Sequence, residues 1–193
     1  LKAVVVRGET NPTLADPEQM VSYSSMIQKE VATASNKPSA MRMYGTSYVP
    51  PITNEIGILP TRNFQTGTFE GIDGIHPEVL KNKYLIRPKA CYRCPIACGR
   101  LTKVDDPKYG GEGEGPEYET IASIGSACGI SNLAAITKAN YLCNEYGMDT
   151  ISVGMTIAAA MEMYEKGIIP VEDIGMPLNF GDADTMIELV KQT

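Results

Sequence analysis

The 193-residue sequence has no tryptophan, three phenylalanines and one histidine. So little aromatic bulk leaves the interior to aliphatic side chains and to 10 methionines, which suit an adaptable helical core. With His76 the single histidine, a metal site here has to be built mainly on cysteine. No apolar run approaches the ~20 residues that a membrane-spanning helix needs, so no membrane partner is expected. Positive charge is in deficit: a net charge of −6 disfavours nucleic acid. A phosphate cradle is missing too. Gly110-Gly111-Glu112-Gly113-Glu114-Gly115 fails the G-x-G-x-x-G register, has no lysine, and its carboxylates would repel a phosphate. It reads instead as a flexible acidic loop. Neither a secretory signal nor an even cysteine count is present, so disulfides are not expected and a reducing, cytoplasmic setting is.

What is present starts with a hydrophobic content of 43%, enough for a proper core, in a length that suits one large domain or two small ones. The chain opens without an initiator Met, in a valine-rich stretch over 2–7 that reads as one β-strand. It closes inside an amphipathic pattern, Met186, Leu189 and Val190. Both ends suggest a piece of a longer protein. Between them helical periodicity dominates. Asp16 and Pro17 open a helix carrying Met20, Tyr23, Ile27 and Val31. Pro116 and two glutamates open another, with Glu117 in line with Ile121, Ile124 and Cys128, and Glu119 roughly opposite. Ser131 or Asn132 caps the next helix, which Gly147 ends; Asp149 caps a further one to Lys166. The expected fold is mainly α: a multi-helix domain over 14–193, truncated at its C-terminus. Residues 1–13, with the short N-terminal strand, would be left over from a preceding β-rich domain.

Chemistry concentrates in Cys91-x2-Cys94-x3-Cys98, three of the five cysteines within eight residues. Thiolates so close together, on a loop passing into a helical turn, can converge on one soft metal. The spacing reads as three ligands of an iron–sulfur cluster whose fourth ligand is distant or outside the chain. A zinc knuckle is the second reading, and inert packing cysteines the third. The order is the reverse of the radical-SAM spacing. Seven of the 17 Lys and Arg lie nearby: Lys81, Lys83, Arg87, Lys89, Arg93, Arg100 and Lys103. Positive charge there favours a reduced cluster, suits an acidic electron partner and predicts lowered thiol pKa values. Cys128 and Cys143 lie in apolar helical runs. His76 reads as a surface residue at a helix start.

Four stretches together resemble the tungsten-containing aldehyde ferredoxin oxidoreductase family. They are Leu59-Pro60-Thr61-Arg62-Asn63-Phe64, the cysteine triplet, Gly115-Pro116-Glu117-Tyr118-Glu119-Thr120, and Asn144-x2-Gly147-Met148-Asp149-Thr150. The resemblance implies oxidation of a small aldehyde to a carboxylic acid. A tungsten (or molybdenum) bis-pterin would take the electrons, and a [4Fe–4S] cluster would pass them to ferredoxin. It also implies Cys91, Cys94 and Cys98 as cluster ligands, with the fourth cysteine in a further domain of the parent chain. Asn144, Gly147, Met148 and Asp149 match the family's D-x-x-G-L-D/C pterin motif, with Asn144 for the first Asp and Met148 for Leu. Glu119 or Glu117 matches the family's carboxylate beside the metal, a general base on water or a proton acceptor from a tungsten-bound hydroxyl, with Glu119 favoured. The remaining domains of the parent chain would be partners, with a homodimer left open. The isolated piece would be inactive. An iron–sulfur electron-transfer or accessory protein without tungsten is the alternative, and the Gly147–Asp149 corner argues against it.

Overall fold

The computed structural model describes residues 3–34 and 37–192. Helix α1, Pro17–Thr33, starts as its sequence requires: Asp16 accepts a hydrogen bond from the Gln19 backbone N–H at 2.9 Å, and Pro17 takes the first position. It has no buried residue; Met20, Val21, Tyr23, Met26 and Ile27 all stay about half exposed or more. Helix α2, Lys37–Tyr44, passes through a 3₁₀ turn, Gly45–Tyr48, into α3, Val49–Glu55. Pro50 and Pro51 are tolerated there because the first turn of a helix has no use for their missing N–H groups.

The strand expected over 2–7 is not formed over 3–7, and Lys2 lies outside the described residues. Val4, Val5 and Val6 are 73%, 92% and 84% exposed. A strand has to pair its backbone groups with a neighbour, and residues 3–7 have none.

Helix α4, Pro77–Val79, capped by the His76 Nδ1, widens into a π turn, Leu80–Tyr84, and runs straight into a sheet. Its strands are β1 (Leu85–Lys89), β2 (Gly99–Val104) and β3 (Gly111–Glu114), antiparallel in the order β1-β2-β3. The sequence hides this sheet for two reasons. Pro88 interrupts β1, which tolerates it as an edge strand. The glycines of β3 look like a flexible loop, yet a Cβ at Gly111 would lie 2.8 Å from the Tyr141 ring and one at Gly113 3.2 Å from it. Glycine is what lets the next layer approach.

That layer begins with α5, Tyr118–Thr120, which broadens to a π turn over Ile121–Gly125 and tightens to 3₁₀ over Ser126–Cys128. Helices α6 (Leu133–Tyr146), α7 (Thr150–Glu165), α8 (Val171–Ile174) and α9 (Ala183–Gln192) follow. Capping matches the sequence: Asn132 opens α6, Gly147 ends it at φ 74°, and Asp149 opens α7. The core lies among these elements, with Ile121, Ile124, Ile136, Met161, Met186 and Val190 fully buried. Tyr141 fixes α6 to the sheet, its hydroxyl 2.7 Å from Thr102 Oγ1 and donating to the Thr102 carbonyl at 3.1 Å. Among the described residues no single helix is long and apolar enough to cross a membrane.

Candidate cofactor and metal site

The cysteine stretch is the connection of the β1–β2 hairpin. Lys89 pairs with Gly99 at its stem, and Lys89 also bridges to Glu114 on β3 at 2.6 Å. The helical turn expected within it is absent. Cys94 N–H closes a turn on the Cys91 carbonyl at 3.0 Å, and Arg93 and Ala97 adopt positive φ, 57° and 56°. Cys91 is exposed, while Cys94 and Cys98 are half-buried. Among the described residues no three His, Cys, Asp or Glu side chains converge as a metal-ligand set. The loop therefore presents three thiols of fitting chemistry without closing them on a point.

The three thiols also differ. Backbone N–H groups of Ile96 and Ala97 lower the Cys94 pKa, rather than the lysine and arginine side chains. Cys98 is raised, first by burial and then by the Glu117 charge. Cys128 and Cys143, deep in the helical core, are pushed up to about 12 and about 11 by burial.

Arg100 follows the loop on β2 and is only 2% exposed. Its Nη2 donates to the Met41 and Arg42 carbonyls at 2.9 Å and to the Ala97 carbonyl at 3.0 Å, tying α2 to the cysteine loop. Nε and Nη1 are buried and have no hydrogen-bond partner among the described residues.

Beside the hairpin opens a cavity of about 570 Å³. Lys89, Glu117 and Thr120 reach it from the sheet and the start of α5; Asn144, Met148 and Asp149 reach it from the α6–α7 corner. Thr120 and Thr150 hydroxyls, 2.8 Å apart, join the two sides. Asp149 uses Oδ2 to accept from the Ser152 N–H and hydroxyl, both at 2.7 Å. The Ser152 bonds hold its carboxyl below the usual carboxylate range, so it is ionised at neutral pH. Its Oδ1 has no partner among the described residues. An ionised oxygen free to accept, in a cavity that Asn144 also lines, fits the N–H edge of a pterin.

The two glutamates separate. Glu117 is not on the helix but is its N-cap residue, extended at φ −82° and ψ 171°. It therefore does not share a stripe with Ile121, Ile124 and Cys128; the π turn after Thr120 also breaks that register. The Thr46 hydroxyl donates to Glu117 Oε2 and accepts the Tyr118 N–H at 2.8 Å. Glu119, in the first turn of α5, is exposed and does not line the cavity. His76 is half-buried and caps α4, its Nδ1 accepting from the Glu78 N–H at 3.4 Å. Sequence reasoning missed Thr46 and Arg100 as site residues: nothing in a GTSY stretch, or in one arginine of a basic run, marks a buried partner.

A family model described as aldehyde ferredoxin oxidoreductase, domains 2 and 3, matches residues 22–193. The chain is 44% identical over 193 residues to a tungsten-containing aldehyde ferredoxin oxidoreductase of Pyrococcus abyssi, using 96% of this chain and 31% of that one. To the protein of the same name from Thermococcus kodakarensis it is 42% identical over 191 residues, again 96% of this chain and 31% of the relative. An aliphatic sulfonate oxidoreductase, WOR-like subunit, of Pyrococcus furiosus is 29% identical over 194 residues, 98% of this chain and 30% of the relative. The chain thus spans about a third of the length of the curated relatives it matches.

Proposed function

Since the chain belongs to the aldehyde ferredoxin oxidoreductase family, we propose that it forms the cluster- and pterin-facing part of a tungstopterin enzyme that oxidises aldehydes to carboxylic acids. The observation that supports this most is the 570 Å³ cavity, where residues from the cysteine hairpin, the 115–120 segment and the 144–150 corner meet. When bound, a tungsten bis-pterin supplies a two-electron sink for an aldehyde that gains its oxygen from water, and a [4Fe–4S] cluster supplies the route onward to ferredoxin.

The chain's own residues have separable tasks. Asn144 and the ionised Asp149 hold the polar edge of the pterin, with Met148 as an apolar contact and Gly147 setting the turn. Cys91, Cys94 and Cys98 hold three irons, and a cysteine beyond these 193 residues holds the fourth. Glu119 lies outside the pterin cavity, exposed and without a hydrogen-bond partner among the described residues, and is the proposed acceptor of the proton released from water at the metal end of the cofactor. Glu117, which lines the cavity with one oxygen engaged by Thr46, is the other candidate and is assigned a positioning role. Residues 1–13 belong to a preceding domain, and the remaining domains of the parent chain close the cavity. The small aldehyde and ferredoxin are its working partners, in the cytoplasm. No observation favours a cluster protein without tungsten.

Viologen-linked aldehyde oxidation is the test. The full-length protein carries it out and the 193-residue chain does not. A tungsten-loaded full-length protein that leaves every aldehyde untouched, or activity in the short chain, overturns this reading.

A further inference from the structure

Arg100 combines three properties rarely found together. It is almost fully buried, its Nη2 is committed to three carbonyls, and its Nε and Nη1 point nowhere productive within the chain. A buried charged donor left without a partner is strongly unfavourable, so its retention calls for an anionic neighbour. Glu117 does not fill that role: its charge acts on Arg100, but the two make no ion pair. Cys98 is the other acidic group acting on Arg100.

The backbone fixes where the unpaired edge lies. Gly45, at φ 67°, packs against it: a Cβ there would sit 2.9 Å from Arg100 Nε and 2.5 Å from the Cys98 carbonyl oxygen. Only a glycine lets α2, the guanidinium and the end of the cysteine loop meet so closely. Lysine would keep the charge, but one ammonium cannot grip the carbonyls and also offer a second donor edge.

We propose that Arg100 is the buried cationic partner of the group held on the Cys91–Cys98 loop and raises that group's reduction potential. The inference rests on the cluster reading of the preceding section. A thiolate-ligated iron–sulfur cluster is anionic, and taking up one electron adds one negative charge without making or breaking a bond. A fixed cation in a poorly screened site favours the more negative form. Arg100 is thus a positioning residue for the loop through Nη2 and an electrostatic one through the delocalised charge of its guanidinium. A purely structural staple would not move a potential.

The full-length protein is titrated with dithionite and followed by electron paramagnetic resonance, with iron measured in each sample. In Arg100→Lys the positive charge is kept, so iron and midpoint stay near the wild-type values. In Arg100→Gln the charge is gone: iron stays at the wild-type level and the ratio of reduced to oxidised cluster at a fixed potential falls at least tenfold, a midpoint lower by about 59 mV for a one-electron couple. An iron-loaded Arg100→Gln with an unchanged or higher potential overturns the proposal. So does loss of iron from both variants, which would make Arg100 an assembly residue only. Absence of an iron–sulfur signal in the wild-type protein would sink the cluster reading itself, a separate result.

Discussion

Thr46 holds Glu117 from 71 residues away: its hydroxyl donates to the carboxylate and takes the neighbouring Tyr118 N–H, so the start of α5 is pinned to the 3₁₀ turn after α2. The consequence is a division of labour between the two glutamates. Glu117 is held by that bond, whereas Glu119 is exposed and has no hydrogen-bond partner among the described residues. In the tungsten-loaded full-length enzyme, Glu119→Gln is expected to lower kcat by about a hundredfold or more, the scale of general-base catalysis. Glu117→Gln keeps most of kcat and lowers tungsten retention. Steady-state rates normalised to tungsten decide this, and the reverse pattern would assign the base to Glu117.

Asp149 serves as both helix cap and proposed pterin ligand, and two substitutions separate the roles. Asparagine caps helices as well as aspartate, and alanine does not. Asp149→Asn should keep the melting temperature and lose tungsten; Asp149→Ala should lose both. If Asp149→Asn retains full tungsten, capping is the whole role. The pH dependence follows from the sign of the shift. The folded pKa is depressed, so the carboxylate's contribution to stability is present at neutral pH and is lost as pH falls through the acidic range below the ordinary aspartate value.

Thiol reactivity should sort the five cysteines. Timed alkylation of the metal-free 193-residue chain, read by peptide mass spectrometry, labels Cys91 and Cys94 first. Cys91 is exposed, and Cys94 has a lowered pKa. Cys98 follows, slowed by burial and by Glu117. Cys128 and Cys143 wait for unfolding, because both are buried with pKa values near 12 and 11. Early labelling of either would mean that core and metal-site cysteines are exchanged.

The glycines of β3 test the fold. Gly111→Ala puts a methyl 2.8 Å from the Tyr141 ring and should destabilise by about 1–3 kcal/mol, as overpacking does. Thermal melting that is unchanged would mean that β3 is free of α6.

The sequence shows the helical half of this protein clearly because capping chemistry is local. Asp16, Asn132, Gly147 and Asp149 each declare a helix end by side chain or φ alone, and the structure uses each as read. The sheet was illegible because its strands are defined by partners: Pro88 makes sense only opposite Arg100, and the β3 glycines only opposite Thr102 and Val104 and under Tyr141. The valine run over 3–7 erred the other way, with strand propensity and nothing to pair with. At the site, spacing singled out the three cysteines, and capping chemistry the 144–149 corner that now lines the cavity. Spacing could not reveal that Glu117 is the extended N-cap rather than part of the helix, since its partner Thr46 lies 71 residues away. Nor could it show that Arg100, unlike the rest of its basic run, is buried with an unpaired edge.

The metal content of the full-length protein, purified without oxygen, tests the tungsten–cluster assignment most directly. Tungsten is expected together with a [4Fe–4S] complement of iron and sulfide, with the tungsten lost in Asp149→Asn and the iron lost when Cys91, Cys94 and Cys98 are replaced by serine. Stoichiometric zinc at the triplet, or iron without tungsten, would contradict it.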